Sequence, residues 1–306
     1  MTDPFDRDFS PEPGVVSDLG QGVRRVVAPN ASPMTFTGTN SYILGEAELA
    51  IIDPGPANDV HLAALLAAIG GVRVSHILVT HSHVDHSPLA ARLAKAVDAP
   101  VLALGTSNIG RSPRMERLGA LANLGGGEGT DHAFAPDRWL GDGEVVKGAE
   151  WQIEAIATPG HFANHMCFAH EGMVFSGDHI MSWATTMVSP PDGDLTDFMA
   201  SLDKMATRAG DHTYLPGHGK PLSDPHHMIA HQKAHRQGRE SQILEALGEG
   251  PATPDELAAR IYTEIPTALL PAAARNVFAH LIDLEDKNLV QVQGKLAPNA
   301  KFSHPK

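Results

Sequence analysis

The stretch ILVTHSHVDHSPLAARLAKAV, residues 77–97, places three histidines and one aspartate within six positions. These residues stand between an apolar run typical of a buried strand and a run typical of a helix. They are His81, His83, Asp85 and His86. Histidine and carboxylate together are ligands well suited to Zn²⁺. Because histidine is uncommon, four ligand-type residues in so short a stretch favour a metal site over a loop of solvated polar residues.

The spacing of these residues predicts two metal positions. In an extended segment residues i and i+2 point the same way, so His81 and His83 can share one metal just beyond the strand. Asp85 and His86 are sequence neighbours whose side chains diverge, which suits a second metal nearby. The Ser-Pro pair at 87–88 then predicts a helix whose N-cap is the serine and whose first residue is the proline.

Four residues cannot fill two metal sites, so further ligands must come from elsewhere in the chain. Two candidates end predicted strands: His161 in TPGH (158–161) and Asp178 in SGDH (176–179). A third is His218 in PGHG (216–219), where the flanking glycines allow a tight turn. Each alone is more often an ordinary polar residue, but the four motifs in this order form a distinctive signal.

The chain has 306 residues, enough for one large domain or a domain with an appendage. A net charge of −13 does not suggest a protein that binds nucleic acid or an anionic membrane through an overall positive charge. The single cysteine, Cys167, cannot form an internal disulfide, which suits a reducing compartment. The beginning of the chain lacks the pattern of a signal peptide, and no apolar run approaches ~18 residues. We therefore expect a cytoplasmic protein without a membrane span.

The order of elements predicts two domains, at residues 1–222 and 223–306. Strands alternate with helices up to about residue 220, which indicates a layered α/β architecture. Beyond it the pattern is helical, with a capping box at Thr253-Pro254-Asp255-Glu256 and a last segment, 289–298, that predicts a small hairpin. Helices followed by a β wing predict a winged-helix unit. The 9 basic and 10 acidic residues of positions 221–306 leave it almost neutral.

The order HxHxDH, TPGH, GDH and PGHG resembles the metallo-β-lactamase superfamily. The resemblance covers residues 14–220 and includes TGTNSYIL (37–44) and IIDPG (51–55). It implies an αββα sandwich with the metals at one edge, between two sheets. It also implies two divalent ions, with Zn²⁺ expected and Mn²⁺ or Fe²⁺ also compatible with the ligands.

The same resemblance implies a role for each candidate residue. One metal would be held by His81, His83 and His161, and the other by Asp85, His86 and His218. Asp178 would bridge them, and Asp53 of IIDPG would orient a ligand histidine. Asp85 would also be catalytic, because it would hold the second metal and orient a bridging hydroxide for attack.

Some further residues admit two interpretations. His165 and His179 adjoin ligand motifs and could donate a proton to a leaving group, but a supporting or core position is favoured. Trp183 could line the substrate cleft or be a core aromatic. For three cations on the long helix, an anion contact is weighed against a solvated face, and the solvated face is favoured. These cations are Lys233, Arg236 and Arg239.

The tail resembles the winged-helix region of the β-lactamase-like protein 2 group, which includes a mitochondrial endoribonuclease and fungal thioesterases for carrier-bound polyketides. We therefore expect a hydrolase of an ester, thioester or lactone, with a small-molecule or carrier-bound substrate. A single-strand endoribonuclease is the alternative, although the acidic charge does not favour RNA. A winged-helix regulator that binds nucleic acid is the third hypothesis. Asp178, at a position where secreted antibiotic-cleaving members commonly have a cysteine, argues against an enzyme of that kind. Whether the protein forms a homo-oligomer is left open.

Ser82 is a departure from the ribonuclease pattern, which has a bulky aromatic residue between the two histidines. A serine leaves that wall of the pocket smaller. The identity of the substrate therefore does not carry over from the resemblance.

Overall fold

The computed structural model describes residues 4–121 and 129–305. Its first sheet has seven strands in chain order, antiparallel from β1 to β4 and parallel from β4 to β7. The strands are β1 Val16–Gly20, β2 Val23–Val27, β3 Asn40–Leu44, β4 Leu49–Ile52, β5 Val74–Leu78, β6 Val101–Ala103 and β7 Arg138–Trp139.

The second sheet has five strands in the order β12-β11-β10-β9-β8. They are β8 Val145–Lys147, β9 Gln152–Ala157, β10 Met166–His170, β11 Met173–Gly177 and β12 Thr213–Pro216. β10 and β11 form a hairpin around Glu171-Gly172, whereas β12 runs parallel to β11.

Alternation along the strands builds the layers, since successive side chains point to opposite faces. Tyr42 of β3 and Phe168 of β10 point between the sheets, into one buried cluster. Ile43 points outward against α1 (Asp59–Ile69) and α2 (Ala90–Val97). Cys167 points outward against α4 (Leu195–Ala206) and the first half of α5 (Pro225–Leu247). The predicted αββα sandwich is therefore confirmed.

The turn after β5 differs from the prediction at its helical end. α2 begins at Ala90, two residues later than the Ser-Pro pair suggested. The Ser87 hydroxyl lies 2.7 Å from Asp131 Oδ2 and 3.2 Å from the His83 carbonyl, so it braces the turn and caps no helix. The N-cap of α1 is Asn58, whose side chain accepts from the His61 amide.

The C-terminal region is the predicted winged helix. α6 (Pro254–Ile261) has the complete capping box, and α7 (Leu270–Asp286) follows a 3₁₀ turn at Thr267–Leu269. The hairpin prediction was wrong in its second strand: β13 (Gln291–Gln293) pairs with β14 (Lys301–Ser303), beyond residue 298. The later strand is used because Phe302 is fully buried in the core of this region.

α5 belongs to both parts of the molecule. Met228 and Ile229 pack into the sandwich with Phe198, whereas Ile243 and Leu247 pack with α6 and α7. Helix α3 (Pro113–Gly119), from the sandwich part of the chain, also packs into the winged-helix core. In the described ranges no helix combines the length and the hydropathy needed to cross a membrane.

For Arg236, neither interpretation of the cations on α5 is correct, whereas Lys233 and Arg239 are partly exposed. Arg236 is buried, donates to the Thr186 carbonyl and to Asn276 Oδ1, and lies over the ring of Phe198. Lys233 pairs with an aspartate of α4, and Arg239 lies over an aromatic ring 3.8 Å away. These cations therefore join elements within the protein.

Candidate metal centre

Seven side chains converge at one edge of the sandwich, where parallel strands end side by side. β4 and β5 are parallel, and so are β11 and β12, so their carboxyl ends meet at this edge. Within each of two groups, the ligand atoms lie within 4.8 Å of one another. The first group is His81, His83, His161 and Asp178, and the second is Asp85, His86 and His218.

Three imidazole nitrogens face each other in the first group. His83 Nδ1 is 2.9 Å from His81 Nε2 and 3.1 Å from His161 Nε2. Two nitrogens bound to one tetrahedral Zn²⁺ lie about 3.3 Å apart, so this spacing is close to that of a shared cation. Asp178 Oδ2 completes the group, 3.6 Å from His161 Nε2 and 4.0 Å from His81 Nε2.

The second group shares Asp178 with the first. Asp85 Oδ2 lies 3.1 Å from His218 Nε2 and 3.4 Å from His86 Nε2. Asp178 reaches the same two histidines, with Oδ1 3.5 Å from His86 Nε2 and Oδ2 3.4 Å from His218 Nε2. One carboxylate therefore faces both groups, and its role as a bridge between two metals stays a prediction.

Hydrogen bonds at the outer nitrogens set the tautomers of three of these histidines. The Nδ1 atoms of His161 and His218 donate to the carbonyls of Met187, at 2.7 Å, and Gly38, at 3.2 Å. His86 Nδ1 donates to an aspartate, Asp53, at 2.8 Å. Because carbonyls and carboxylates only accept, Nδ1 keeps its proton, and Nε2 is the inward nitrogen that would bind a metal once it carries no proton.

Asp53 supports a second ligand as well. The amide and hydroxyl of Thr80 donate to its two oxygens, each at 2.7 Å. The same hydroxyl lies 3.0 Å from His81 Nδ1, from which it can accept. Asp53 thus contacts His86 directly and His81 through Thr80, and its role in orienting a ligand histidine stays a prediction.

The charges of the two groups differ. Burial and the neighbouring histidines hold the pKa of His81 well below its usual range and lower that of His83 to about 3. Burial also opposes a charge on His86 and His218. The carboxylates of Asp85 and Asp178 outweigh it, so the pKa of His86 lies well above its usual range and that of His218 rises to about 10. The second group therefore retains positive charge next to its carboxylates.

The donor atoms fit divalent cations. Among the described residues, His86 Nε2 and Asp178 Oδ1 are buried atoms without a hydrogen-bond partner. Buried polar atoms without a partner cost free energy, and a cation between these two would satisfy both. Imidazole and carboxylate ligands are compatible with Zn²⁺, Mn²⁺ and Fe²⁺.

His165 and His179 lie behind the ligands and do not line the cleft. His165 Nε2 accepts from the Asp178 amide at 3.2 Å, and its Nδ1 is 2.8 Å from Thr158 Oγ1. Burial lowers the pKa of His179 to about 3, and its ring packs against Phe198. These positions favour the supporting and core interpretations over proton donation.

Trp183 stacks on Phe36, with ring centroids 5.0 Å apart and planes within 9°, and it is not among the residues that line the cleft. Trp183 also lies close to Gly219, the residue after His218: a Cβ at Gly219 would be 3.0 Å from Trp183 Cδ1. The tryptophan therefore supports the loop that forms a wall of the cleft.

A cleft of about 530 Å³ opens over the two ligand groups. Sequence reasoning missed most of its wall because isolated methionines and threonines carry no motif. Two wall residues, Ala272 and Arg275, come from α7, and only the packing of the two parts of the chain brings them there. The other wall residues are Met34, Thr35, Val84, Gly129, Thr130, Met187, Ser189 and Asp192.

Comparison with family models gives two matches. The model described as "Metallo-beta-lactamase superfamily" matches residues 34–218, which include all seven ligand candidates. The model described as "Beta-lactamase associated winged helix domain" matches residues 253–297.

Curated relatives span nearly the whole chain. A "Beta-lactamase-like protein 2 homolog" of Drosophila melanogaster is 31% identical over 297 residues, or 90% of this chain and 92% of the relative. An "Atrochrysone carboxyl ACP thioesterase" of Aspergillus fumigatus is 31% identical over 268 residues, which are 82% of this chain and 76% of the relative.

Two solved structures have the same fold. A metallo-beta-lactamase family protein from Thermus thermophilus gives a TM-score of 0.74 at 26% identity, over 94% of this chain and 100% of that one. A beta-lactamase domain protein from Burkholderia ambifaria gives a TM-score of 0.79 at 22% identity, over 97% of this chain and 96% of that one.

Proposed function

We propose, from the premise that the chain belongs to the metallo-beta-lactamase superfamily of metallo-hydrolases, that it hydrolyses a thioester or a related ester or lactone with two divalent metal ions. The observation that carries the proposal is the carboxylate of Asp178, which is shared between two groups of ligands. A carboxylate in this position is suited to hold two cations close together. We propose Zn²⁺ as the metal, because histidine ligands suit it best among common divalent ions.

Two bound ions would supply Lewis acidity and lower the pKa of a water molecule towards neutrality. The chain holds them and orients the reactants. Asp85 lines the cleft and its side chain is 19% exposed, so its carboxylate can accept a hydrogen bond from the attacking water. Thr39 Oγ1, 3.3 Å from Asp85 Oδ2, steadies that carboxylate.

The cleft and the relatives support an acyl substrate. Apolar side chains of Met34, Val84 and Met187 line the opening and suit a hydrocarbon chain. A relative named as a thioesterase for a carrier-bound acid supports the thioester. RNA needs several phosphate contacts, whereas Arg275 is the one Lys or Arg among the described residues of the cleft wall.

A nucleic-acid-binding regulator is not favoured by the packing of α7. In a winged helix, one helix must be free to enter a groove of the duplex. Ala279 and Asp283 of α7 contact the sandwich, and its opposite face lies in the winged-helix core. Both long faces of this helix are therefore occupied within the protein.

The test combines metal content with a substrate panel. We expect about two metal ions per chain and hydrolysis of a thioester faster than a lactone, bis(p-nitrophenyl) phosphate or single-stranded RNA. Asp85→Ala should lower turnover at least about a hundredfold and weaken one metal, because it removes a ligand and the acceptor for water. Elemental analysis, melting temperature and rates on the panel measure these effects.

The matched control is Asp59→Ala, an exposed aspartate paired with Arg92 on the outer helices. It should keep both metals and the full rate. A metal content below one after reconstitution, or an Asp85→Ala enzyme with two metals and a wild-type rate, would contradict the dinuclear proposal. Faster cleavage of RNA than of the thioester would contradict the proposed acyl substrate and favour the endoribonuclease alternative.

A further inference from the structure

Ser82 points away from the cleft. His81 and His83 turn towards each other in the first ligand group, so the side chain between them turns the opposite way. Ser82 is fully buried and is not one of the described residues that line the cleft. It therefore does not form the smaller pocket wall that the sequence suggested, and its side chain meets Asn164 instead.

The side-chain amide of Asn164 binds Ser82 and a third loop at the same time. Its Nδ2 donates to Ser82 Oγ at 3.1 Å and to the Gly105 carbonyl at 3.0 Å, and its Oδ1 accepts from the Ser82 amide at 3.3 Å. Because a carbonyl only accepts, the nitrogen must face Gly105, which fixes the orientation of the amide group. Asn164 is also fully buried, so water does not compete for these bonds.

Both sides of this contact carry ligand candidates of the first group. Ser82 stands between His81 and His83, and Asn164 lies in the turn between β9 and β10 that also carries His161. Hydrogen bonds within the backbone of that turn close it, so Asn164 and His161 keep a fixed relation. A single amide group therefore joins the two segments that carry the three imidazoles of this group.

The contact adds to the pairing of the two segments and does not replace it. The amide of Met166, at the start of β10, donates to the Thr80 carbonyl at 2.7 Å. This backbone bond keeps the segments adjacent without the side chain of Asn164. Loss of that side chain should therefore loosen the ligand histidines without separating the sheets.

The third loop gives this contact a rigid base. A Cβ at Gly110 would lie 2.3 Å from the carbonyl oxygen of Ala163, so the loop packs directly on the turn between β9 and β10. Farther along the chain, Met115 and Leu118 of α3 are buried in the winged-helix core. The carbonyl of Gly105 therefore belongs to a loop that is held at both ends, by β6 and by α3.

We propose that Asn164 is a positioning residue that acts through Ser82 and keeps the three histidines of the first group at metal-binding distance from one another. The inference rests on the proposed function, because the positions of these histidines matter only if the group binds a metal. A ligand that is free to move must be ordered when the metal binds, which costs affinity. Groups that hold a ligand in place therefore strengthen metal binding.

The affinity of the first group can be measured with little contribution from the second in the Asp85→Ala protein, which keeps all four residues of the first group. In this background and in the otherwise unchanged chain, we expect Asn164→Ala to weaken the binding of one metal about tenfold. Titration with Zn²⁺ against a chelator measures the affinity. The visible absorption of bound Co²⁺ reports the geometry of the ligands and should change in the same variant.

A second variant tests the route through Ser82. Ser82→Ala keeps the backbone bond to Asn164 and removes only the hydroxyl, so we expect a smaller loss of affinity. If Asn164 acts through Ser82, the two changes together should weaken metal binding by less than the product of their separate effects. Effects that multiply as if independent would contradict this route.

The matched control is Asn58→Ala, which removes the N-cap of α1 in the outer layer. It should lower the melting temperature and leave the affinity for both metals unchanged. Wild-type metal affinity in Asn164→Ala would overturn the inference. So would a loss of affinity that Asn58→Ala reproduces at an equal drop in melting temperature, because the effect would then be one of stability alone.

Melting temperature and circular dichroism are measured for every variant. If Asn164→Ala does not fold, Ser82→Ala provides the test, because weaker binding of the first metal is still expected from it. A wild-type protein that takes up less than one metal after reconstitution would refute the proposed function itself. Uptake of two metals with affinities that neither variant changes would refute only the inference.

Discussion

His86 and His218 are ligand candidates of the second group, and in the absence of a metal both bind protons readily. Burial opposes their charge, but Asp85 and Asp178 raise the pKa of His218 to about 10 and that of His86 well above the usual range. At neutral pH a metal ion must therefore displace protons from this group. This is a property of individual side chains, set by two carboxylates within 3.5 Å.

We expect metal uptake to release protons, and its affinity to rise with pH between about 6.5, the ordinary histidine pKa, and 10. Calorimetric titration in buffers of different ionisation enthalpy measures the number released. For the chelated protein, a raised folded pKa gives stability that is fully present below about 6.5 and is lost as pH rises through about 10. Its melting temperature should fall across that window, and that of the metal-loaded protein should fall less. Uptake without proton release would contradict the pKa shift.

At the scale of the element, the turn after β12 brings His218 to the centre. Its glycine, Gly217, lies against the ligands: a Cβ there would be 2.5 Å from Asp178 Oδ1 and 2.6 Å from His86 Cε1. The backbone cannot withdraw easily, because the Gly217 amide donates to Gly177 and its carbonyl accepts from Asn40. A methyl group must therefore displace the side chains of Asp178 and His86, two of the ligand candidates.

We expect Gly217→Ala to weaken metal binding at least about tenfold and to lower turnover, while the sheets still form. Gly210→Ala is the matched control, since a Cβ there has no heavy atom within 4 Å. Metal titration and circular dichroism compare the two variants. Equal metal affinity in both would show that the close approach at Gly217 is unimportant.

At the scale of the whole molecule, the two parts of the chain share a core. A boundary after residue 222 stays a prediction, and the structure puts α5 across it, with Met228 and Ile229 inside the sandwich. Removing residues 223–306 would expose their partners and also uncover Met115 and Leu118 of α3. Each large side chain left exposed costs about 1.5–3 kcal/mol, and a domain is stable by only about 5–15 kcal/mol.

We therefore expect the 1–222 fragment to melt well below the full chain or to aggregate. A fragment that ends at Gly238 keeps Met228, Ile229 and Arg236 and should be more stable than 1–222, although it lacks α7. Calorimetry of the three proteins, each loaded with metal, measures the order. A 1–222 fragment as stable as the full chain would show that the shared core contributes little.

The errors in the prediction come from contacts between residues that lie far apart in the chain. The Ser-Pro pair looked like a helix start, but Asp131, 44 residues away, takes the serine hydroxyl. The second strand of the wing was placed too early because the burial of Phe302 cannot be read from its neighbours. Arg236 carries the same sequence signal as a solvated cation, and only the approach of Thr186 and Asn276 makes it internal.

The sequence by itself determined a layered α/β part and a winged helix, and it offered the seven ligand candidates; the αββα arrangement was implied by the resemblance to the metallo-β-lactamase superfamily. Strand alternation depends on residues next to each other, and ligand candidates such as His81 and His83 stand at strand ends whose position follows from that pattern. Tertiary structure decided which groups face one another: that Asp178 is shared, that Asp53 contacts His86, and that Arg275 overlooks the cleft. These contacts join residues far apart in the chain, and their distances depend on how sheets and helices pack, which no local pattern encodes.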